Sequence, residues 1–166
     1  MRILIASVDF PPHTDGVSAV SGALARYFAD AGETVVCVGP ASSGDAGHDA
    51  ACGYRVVRFP GYGLGILRWA PFAAAFLCAF AAARPRRVYA MNIAYGGLLC
   101  RLLRPLARFD YYLFGYGYEF EKVRRPLLRR LYRSAYLRAR RVFAISGFVR
   151  GRLAAFGVRP ERIALV

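Results

Sequence analysis

Lysine is nearly missing from this 166-residue chain: Lys122 is the only one. Acids are scarce too, with 10 Asp and Glu against 24 Lys and Arg, so a net charge of +14 rests almost wholly on arginine. Such a surplus predicts attraction to phosphate ligands, acidic lipid headgroups or nucleic acid. Histidine is limited to His13 and His48, neither at ligand spacing from another metal donor. No Asp-x-Asp pair occurs, which removes a paired-aspartate site for a metal-bridged diphosphate; no metal and no cofactor are expected. The cysteines Cys37, Cys52, Cys78 and Cys100 form no CxxC pair, and three of them sit in apolar segments. Reduced thiols in a cytoplasmic protein are the expectation, and a zinc site is not. The longest uncharged stretch, "WAPFAAAFLCAFAAA" at 69–83, falls short of the about 20 residues that span a bilayer. "MRILIASVDF" is too short an apolar run for a signal peptide. Neither G-x-G-x-x-G nor G-x-x-x-x-G-K-[ST] is present, which disfavours nicotinamide dehydrogenases and P-loop NTPases.

What the chain does have is apolar residues in quantity: 57% are hydrophobic and the mean hydropathy is +0.31. That suffices for the core of one domain. Strand-like runs at 2–8, 34–39, 54–59, 86–92, 111–117 and 141–146 alternate with helix-like segments at 17–31, 68–83, 95–107, 124–139 and 147–156. "RPERIALV" at the end reads as a further strand leading toward another domain. Strands apolar on both faces and separated by helices predict a doubly wound, Rossmann-like α/β domain with a mainly parallel sheet of six or seven strands. Ligands in such sheets sit outside the carboxyl ends of the strands. Positions 9–16, 92–95, 115–121 and 146–148 therefore carry the functional weight.

Four stretches stand out. In "DFPPHTDG" (9–16) two prolines stiffen the exit from the first strand, and Gly16 opens a helix whose N–H groups and dipole favour an anion. The same residues also describe a rigid connector with Asp15 as N-cap. In "FGYGYEF" (114–120), Glu119 is a carboxylate among tyrosines, suited to a hydroxylated substrate or, more simply, to an ion pair with an arginine. Ser146 reads as a helix cap, with Arg150 and Arg152 in the following turns. In "RRPLLRRLYRSAYLRARR" (124–141), an apolar stripe of Leu127, Leu128, Leu131, Ala135 and Ala139 opposes a basic face containing Arg129, Arg130 and Arg133. That face suits an anionic membrane surface or simple solvation.

In order, these pieces resemble the N-terminal domain of retaining GT-B glycosyltransferases of the group 1/group 4 type, which use nucleotide-sugar donors. The resemblance runs over the whole chain. Its carriers are the opening strand with its proline–glycine loop, the "FGYGYEF" strand end and "VFAISGFVRGRLAAFGVRPERIALV". It implies that residues 1–166 form the acceptor-binding half of a GT-B fold. The donor domain would lie outside this chain, on a continuation or a separate subunit, and the chain alone would be inactive. Gly16 would meet the donor diphosphate. His13, Asp15, Asn92, Tyr95, Tyr118 and Glu119 become acceptor-binding candidates, and Tyr116 stands where the family often carries an active-site histidine. Asp15 replaces the first of the family's paired glycines; a carboxylate beside a diphosphate would be repulsive, so its side chain is expected to point away or toward acceptor hydroxyls. The implied partners are a nucleotide-sugar donor and a sugar or lipid-linked acceptor, at the inner face of a membrane that Arg129, Arg130 and Arg133 would contact. Nucleic acid is not expected. The alternative is a non-enzymatic basic module that binds anionic membrane or nucleic acid.

Overall fold

The computed structural model describes residues 1–60, 65–117, 119–120 and 125–166. Among them seven strands form a single all-parallel sheet: β1 (Arg2–Ala6), β2 (Thr34–Pro40), β3 (Arg55–Phe59), β4 (Arg87–Ala90), β5 (Asp110–Gly115), β6 (Arg141–Ala144) and β7 (Ile163–Leu165). Their order is β3-β2-β1-β4-β5-β6-β7. The chain runs outward from β1 in one direction, then returns to lay β4 on its other side. Direction therefore reverses between β1 and β4, where Ala6 is paired with Ala90.

Right-handed crossovers dictate where the helices go. Helix α1 (Gly16–Asp30) and the short α2 (Asp45–Ala50) lie on one face, while α3 (Trp69–Ala83), α4 (Leu98–Leu103), α5 (Pro126–Arg138) and α6 (Gly147–Ala155) layer the other. Two apolar clusters record this division. Ile3, Ile5, Cys37, Met91 and Phe114 pack with Ala25 beneath α1. Leu4, Val38, Val88 and Leu113 pack with Phe72, Phe76, Tyr136 and Leu153 beneath the other helices. Alternate residues of β1 are thus buried on opposite faces, as a covered parallel sheet requires.

The ends of the elements follow local chemistry. Helix α1 stops in a Schellman motif, with Gly32 at φ +76° and the Glu33 N–H donating to Phe28 O. Pro126 occupies the first turn of α5, where its missing N–H costs nothing. Two expectations shift. The helix expected over 95–107 is a π-turn at Ile93–Gly97 followed by α4, which ends before Pro105 because proline blocks continuation. Between β2 and β3 lies α2, which the helix-like segments read from the sequence do not include.

All four cysteines are free thiols; Cys37 and Cys100 are buried and Cys78 is exposed. Among the described residues no helix is long and apolar enough to cross a membrane.

Candidate functional site

The β1–β4 reversal creates a crevice at the carboxyl edge of the sheet. Asn92, almost fully buried just past β4, bridges it: its Oδ1 accepts the Val8 N–H at 3.1 Å. The two strand exits that form the crevice are thereby stitched together by a side chain.

On the β1 side runs the double-proline loop, whose Pro11–Pro12 bond is cis. Arg58 from β3 holds this loop. Its Nη2 donates to Pro11 O at 2.7 Å and to Asp49 Oδ1 at 2.6 Å, its Nη1 to Pro40 O at 2.9 Å, and its Nε to Asp49 Oδ2 at 3.0 Å. The guanidinium also lies over the Phe10 ring, 5.6 Å from the centroid. Such a fork has the planar, multidentate geometry that arginine provides and lysine does not. Burial raises the Asp49 carboxyl, but hydrogen bonds from Arg58 and His48 outweigh it and leave the pKa below its ordinary value of 3.8. Beneath the loop, α1 passes Pro11 at Gly22, where an added Cβ would come within 2.7 Å of the proline ring. A helix-interior glycine is tolerated there because the loop needs the room.

The loop ends at the N-terminus of α1. Asp15 is the N-cap: its Oδ1 accepts the Ser18 N–H at 2.9 Å and its Oδ2 the Ser18 hydroxyl at 2.6 Å. Burial pushes its pKa up, while these hydrogen bonds outweigh it and bring the value below 3.8. The side chain is turned into its own helix. Gly16 is exposed, and a Cβ built on it meets nothing within 4 Å. The crevice end of α1 is thus sterically open at Gly16, while the Asp15 carboxylate itself takes the Val17 and Ser18 N–H groups.

A second set of groups faces the crevice from α3. Arg68, just before α3, donates from Nε to the Tyr95 hydroxyl at 3.0 Å and stacks over that ring at 5.3 Å. The Trp69 Nε1–H reaches Ala94 O at 3.2 Å. Asp9 lies between the loop and this set. Burial, then the nearby Asp15 charge, raise its pKa above 3.8, and Arg68 and His13 pull it back only in part. Asp9, Arg58 and Arg68 were not singled out from sequence. Only the position of Asp9 at a strand exit offered a signal for any of them.

Tyr116 lies elsewhere in the crevice. It lines an apolar groove of about 470 Å³ under α1, with Val20, Leu24, Phe114, Phe143 and Ile145. Glu119 supports it from behind: Oε1 accepts the Tyr116 N–H at 2.9 Å and the Tyr136 hydroxyl at 2.8 Å. Glu119 is 5% exposed, and its Oε2 has no hydrogen-bond partner among the described residues. The arginine ion pair expected for it does not form among the described residues; a backbone amide and a tyrosine take that place. Tyr118 lies outside the described residues. Ser146 caps α6, its Oγ accepting the Val149 N–H at 3.3 Å.

The basic helix α5 keeps part of its expected stripe, with Ala135 and Ala139 buried and Leu128 half-buried on the core, and loses the rest. Its buried face is Tyr132, Ala135 and Tyr136, while Leu127 and Leu131 are exposed. The tyrosines win this face because the Tyr136 hydroxyl finds Glu119 when buried, so a larger side chain fills the core without leaving a polar atom unpaired. Arg129 lies over the Phe156 ring at 5.6 Å, and the Arg133 Nε–H donates to Phe156 O at 2.9 Å. Both arginines thus reach toward the end of α6. Among the described residues no group of three or more His, Cys, Asp or Glu could hold a metal.

A doubly wound, all-parallel sheet with a crevice at its reversal point defines a Rossmann-like class of α/β fold. Comparison narrows it: residues 15–166 match the glycosyl transferase 4-like domain model, and the chain belongs to that family. No curated protein sequence matches it. Among solved structures, HepE of Anabaena in complex with UDP and glucose is similar over 100% of this chain and 44% of its own, with a TM-score of 0.72 and 17% identity. The sucrose-phosphate synthase of Thermosynechococcus elongatus is similar over 99% of this chain and 47% of its own, with a TM-score of 0.71 and 15% identity. The UDP-GlcNAc 2-epimerase of Methanocaldococcus jannaschii matches over 99% and 44%, with a TM-score of 0.65 and 11% identity. At these identities the likeness is one of fold. The chain has the architecture of one half of a GT-B glycosyltransferase and spans less than half the length of these structures.

Proposed function

We propose that this chain is the acceptor-side half of a retaining glycosyltransferase that moves a sugar from a nucleotide-diphosphate donor to a sugar or lipid-linked acceptor. The observation that carries the reading is the open end of α1: Gly16 is bare, and Asp15 is folded onto Ser18. A diphosphate placed there meets the Gly16 N–H and the positive end of the helix dipole. Complexes of HepE with UDP and glucose and with UDP-glucose support a nucleotide-sugar donor. A donor domain or subunit would hold most of that molecule. The apolar groove beside Tyr116 leaves surface for it to cover.

The acceptor would enter on the α3 side. His13, Asn92, Tyr95 and Tyr118 are its candidate contacts, joined now by Asp9 and Arg68. Asp15 is reassigned to holding the helix end, and Glu119 to positioning Tyr116. Tyr116 remains the candidate catalytic residue at the end of β5. Arg129, Arg130 and Arg133 remain membrane candidates in an enzyme peripheral to the inner face.

The test is a transfer assay with UDP-sugars, run on the chain alone and together with a donor domain of this family. Acceptor-dependent release of UDP only in the mixture, with the anomeric configuration kept in the product, is the expected result. Turnover by the chain alone, or an inverted product, contradicts the reading.

A further inference from the structure

The acids of this protein are distributed unevenly. Six of the ten fall within the first 49 residues (Asp9, Asp15, Asp30, Glu33, Asp45 and Asp49), three of them within α1 and α2. Between Asp49 and Asp110, and again between Lys122 and Glu161, the sequence contains none. Helices α3, α4, α5 and α6, which layer the opposite face, therefore carry no carboxylate at all. Their arginines are not balanced within that layer.

Apolar side chains are exposed on the same layer. Leu67, in the 3₁₀ turn leading into α3, is 71% exposed, and Trp69 is 38% exposed. On α5, Leu127 is 71% and Leu131 40% exposed. Helix periodicity sets Leu127, Arg130 and Leu131 on one face, three and four residues apart. Both groups lie at one edge of the molecule, because α3 follows the exit of β3 and α5 the exit of β5 in a parallel sheet. The π-turn Ile93–Gly97 packs against both helices and receives the Trp69 indole N–H at Ala94. Leucines and a tryptophan thus project at the crevice edge from a layer whose helices carry arginines and no carboxylate.

We infer that this edge docks on a lipid bilayer with anionic headgroups. Leu67, Trp69, Leu127 and Leu131 enter the headgroup boundary, and Arg125 and Arg130 meet lipid phosphates. Charge complementarity selects an anionic surface. Exposed leucines select a bilayer over nucleic acid, whose backbone offers them only water and phosphate. Tryptophan beside leucine is the composition of an interfacial anchor, with an apolar ring and one polar N–H. Docked this way, the crevice opens toward the membrane. The inference rests on the acceptor-side reading only for what is delivered there; lipid binding is scored without nucleotide or acceptor, so either can fail alone.

Trp69 is the single tryptophan of the chain, so its fluorescence reports on this edge alone. The experiment adds vesicles of phosphatidylcholine, with and without phosphatidylglycerol, and reads both emission and co-sedimentation. A blue shift and sedimentation with the mixed vesicles only, both fading as salt is raised, are expected. Leu127→Ser and Leu131→Ser should each weaken partitioning about tenfold, and Arg130→Glu at least about fivefold. Leu67→Ser repeats the test from a different element, and unchanged melting temperatures confirm that these exposed positions leave the fold intact. The inference is overturned if Trp69 emission does not move, or if the leucine variants sediment like the parent. Duplex DNA that strips the protein from vesicles and binds the leucine variants equally well would also overturn it, assigning the charge to nucleic acid.

Discussion

Arg58 contributes more to the crevice than any residue its sequence neighbourhood would suggest. It joins α2, the end of β2 and the double-proline loop through four hydrogen bonds, two of them to the Asp49 carboxylate. Replacing it with alanine strands a half-buried acid and two carbonyls. We expect a loss of about 2–3 kcal/mol, a fall in melting temperature of roughly 5–10 °C, measured by thermal denaturation. Arg58→Lys should recover little, because an ammonium cannot bond two carbonyls and a carboxylate fork together. Asp15→Ala removes the α1 cap and should cost about 1 kcal/mol. The pH dependence follows from the signs. Asp15 and Asp49 have folded-state values below 3.8, so their contribution is complete above the ordinary carboxylate value and is lost as pH falls through the depressed ones. Asp9 works in the opposite direction. Its raised value means that its charged form is disfavoured in the fold, and that penalty is relieved as pH falls through its folded pKa. Acid unfolding monitored by circular dichroism should therefore shift upward in pH in Arg58→Ala, which removes the cause of the Asp49 depression. In Asp9→Asn, stability near neutral pH should be kept or slightly raised.

Among the elements, α5 separates what is legible in a sequence from what is not. Its position and its basic character are local properties and can be read directly. Its orientation is not local. A stripe through Leu127 and Leu131 and one through Tyr132 and Tyr136 satisfy helical periodicity equally well, and the choice depends on Glu119 across the core. Tyr136→Phe tests that dependence: it leaves the buried carboxylate with one bond fewer and should cost about 1–3 kcal/mol in urea unfolding. The strands were legible because their apolar runs are short, continuous and bounded by turn residues. The Ser146 helix start was legible because a cap uses residues next to the helix. The loop clamp was not, since Arg58 and Pro11 lie 47 positions apart and α2 hides in a stretch of small polar residues. The Arg68–Tyr95 pair escaped for the same reason: nothing local links residues 27 apart.

At the scale of the whole molecule, two faces of one sheet carry different tasks. The side of α1 and α2 is where the acids of the first fifty residues lie, together with the clamped loop and an apolar groove beside Tyr116. The other side is a layer of helices without a carboxylate. Between them, at the β1–β4 reversal, Gly16 and the α1 N-terminus face open space. The central claim is that a donor diphosphate occupies that space. It is tested most directly by following backbone amide shifts while the chain is titrated with pyrophosphate and with UDP-glucose. The account predicts that the Gly16, Val17 and Ser18 amides move first and saturably with both ligands, and that Gly16→Val abolishes the response while leaving the melting temperature unchanged. Shifts that spare those amides and instead track the arginines of α5, in the parent and in Gly16→Val alike, would contradict it.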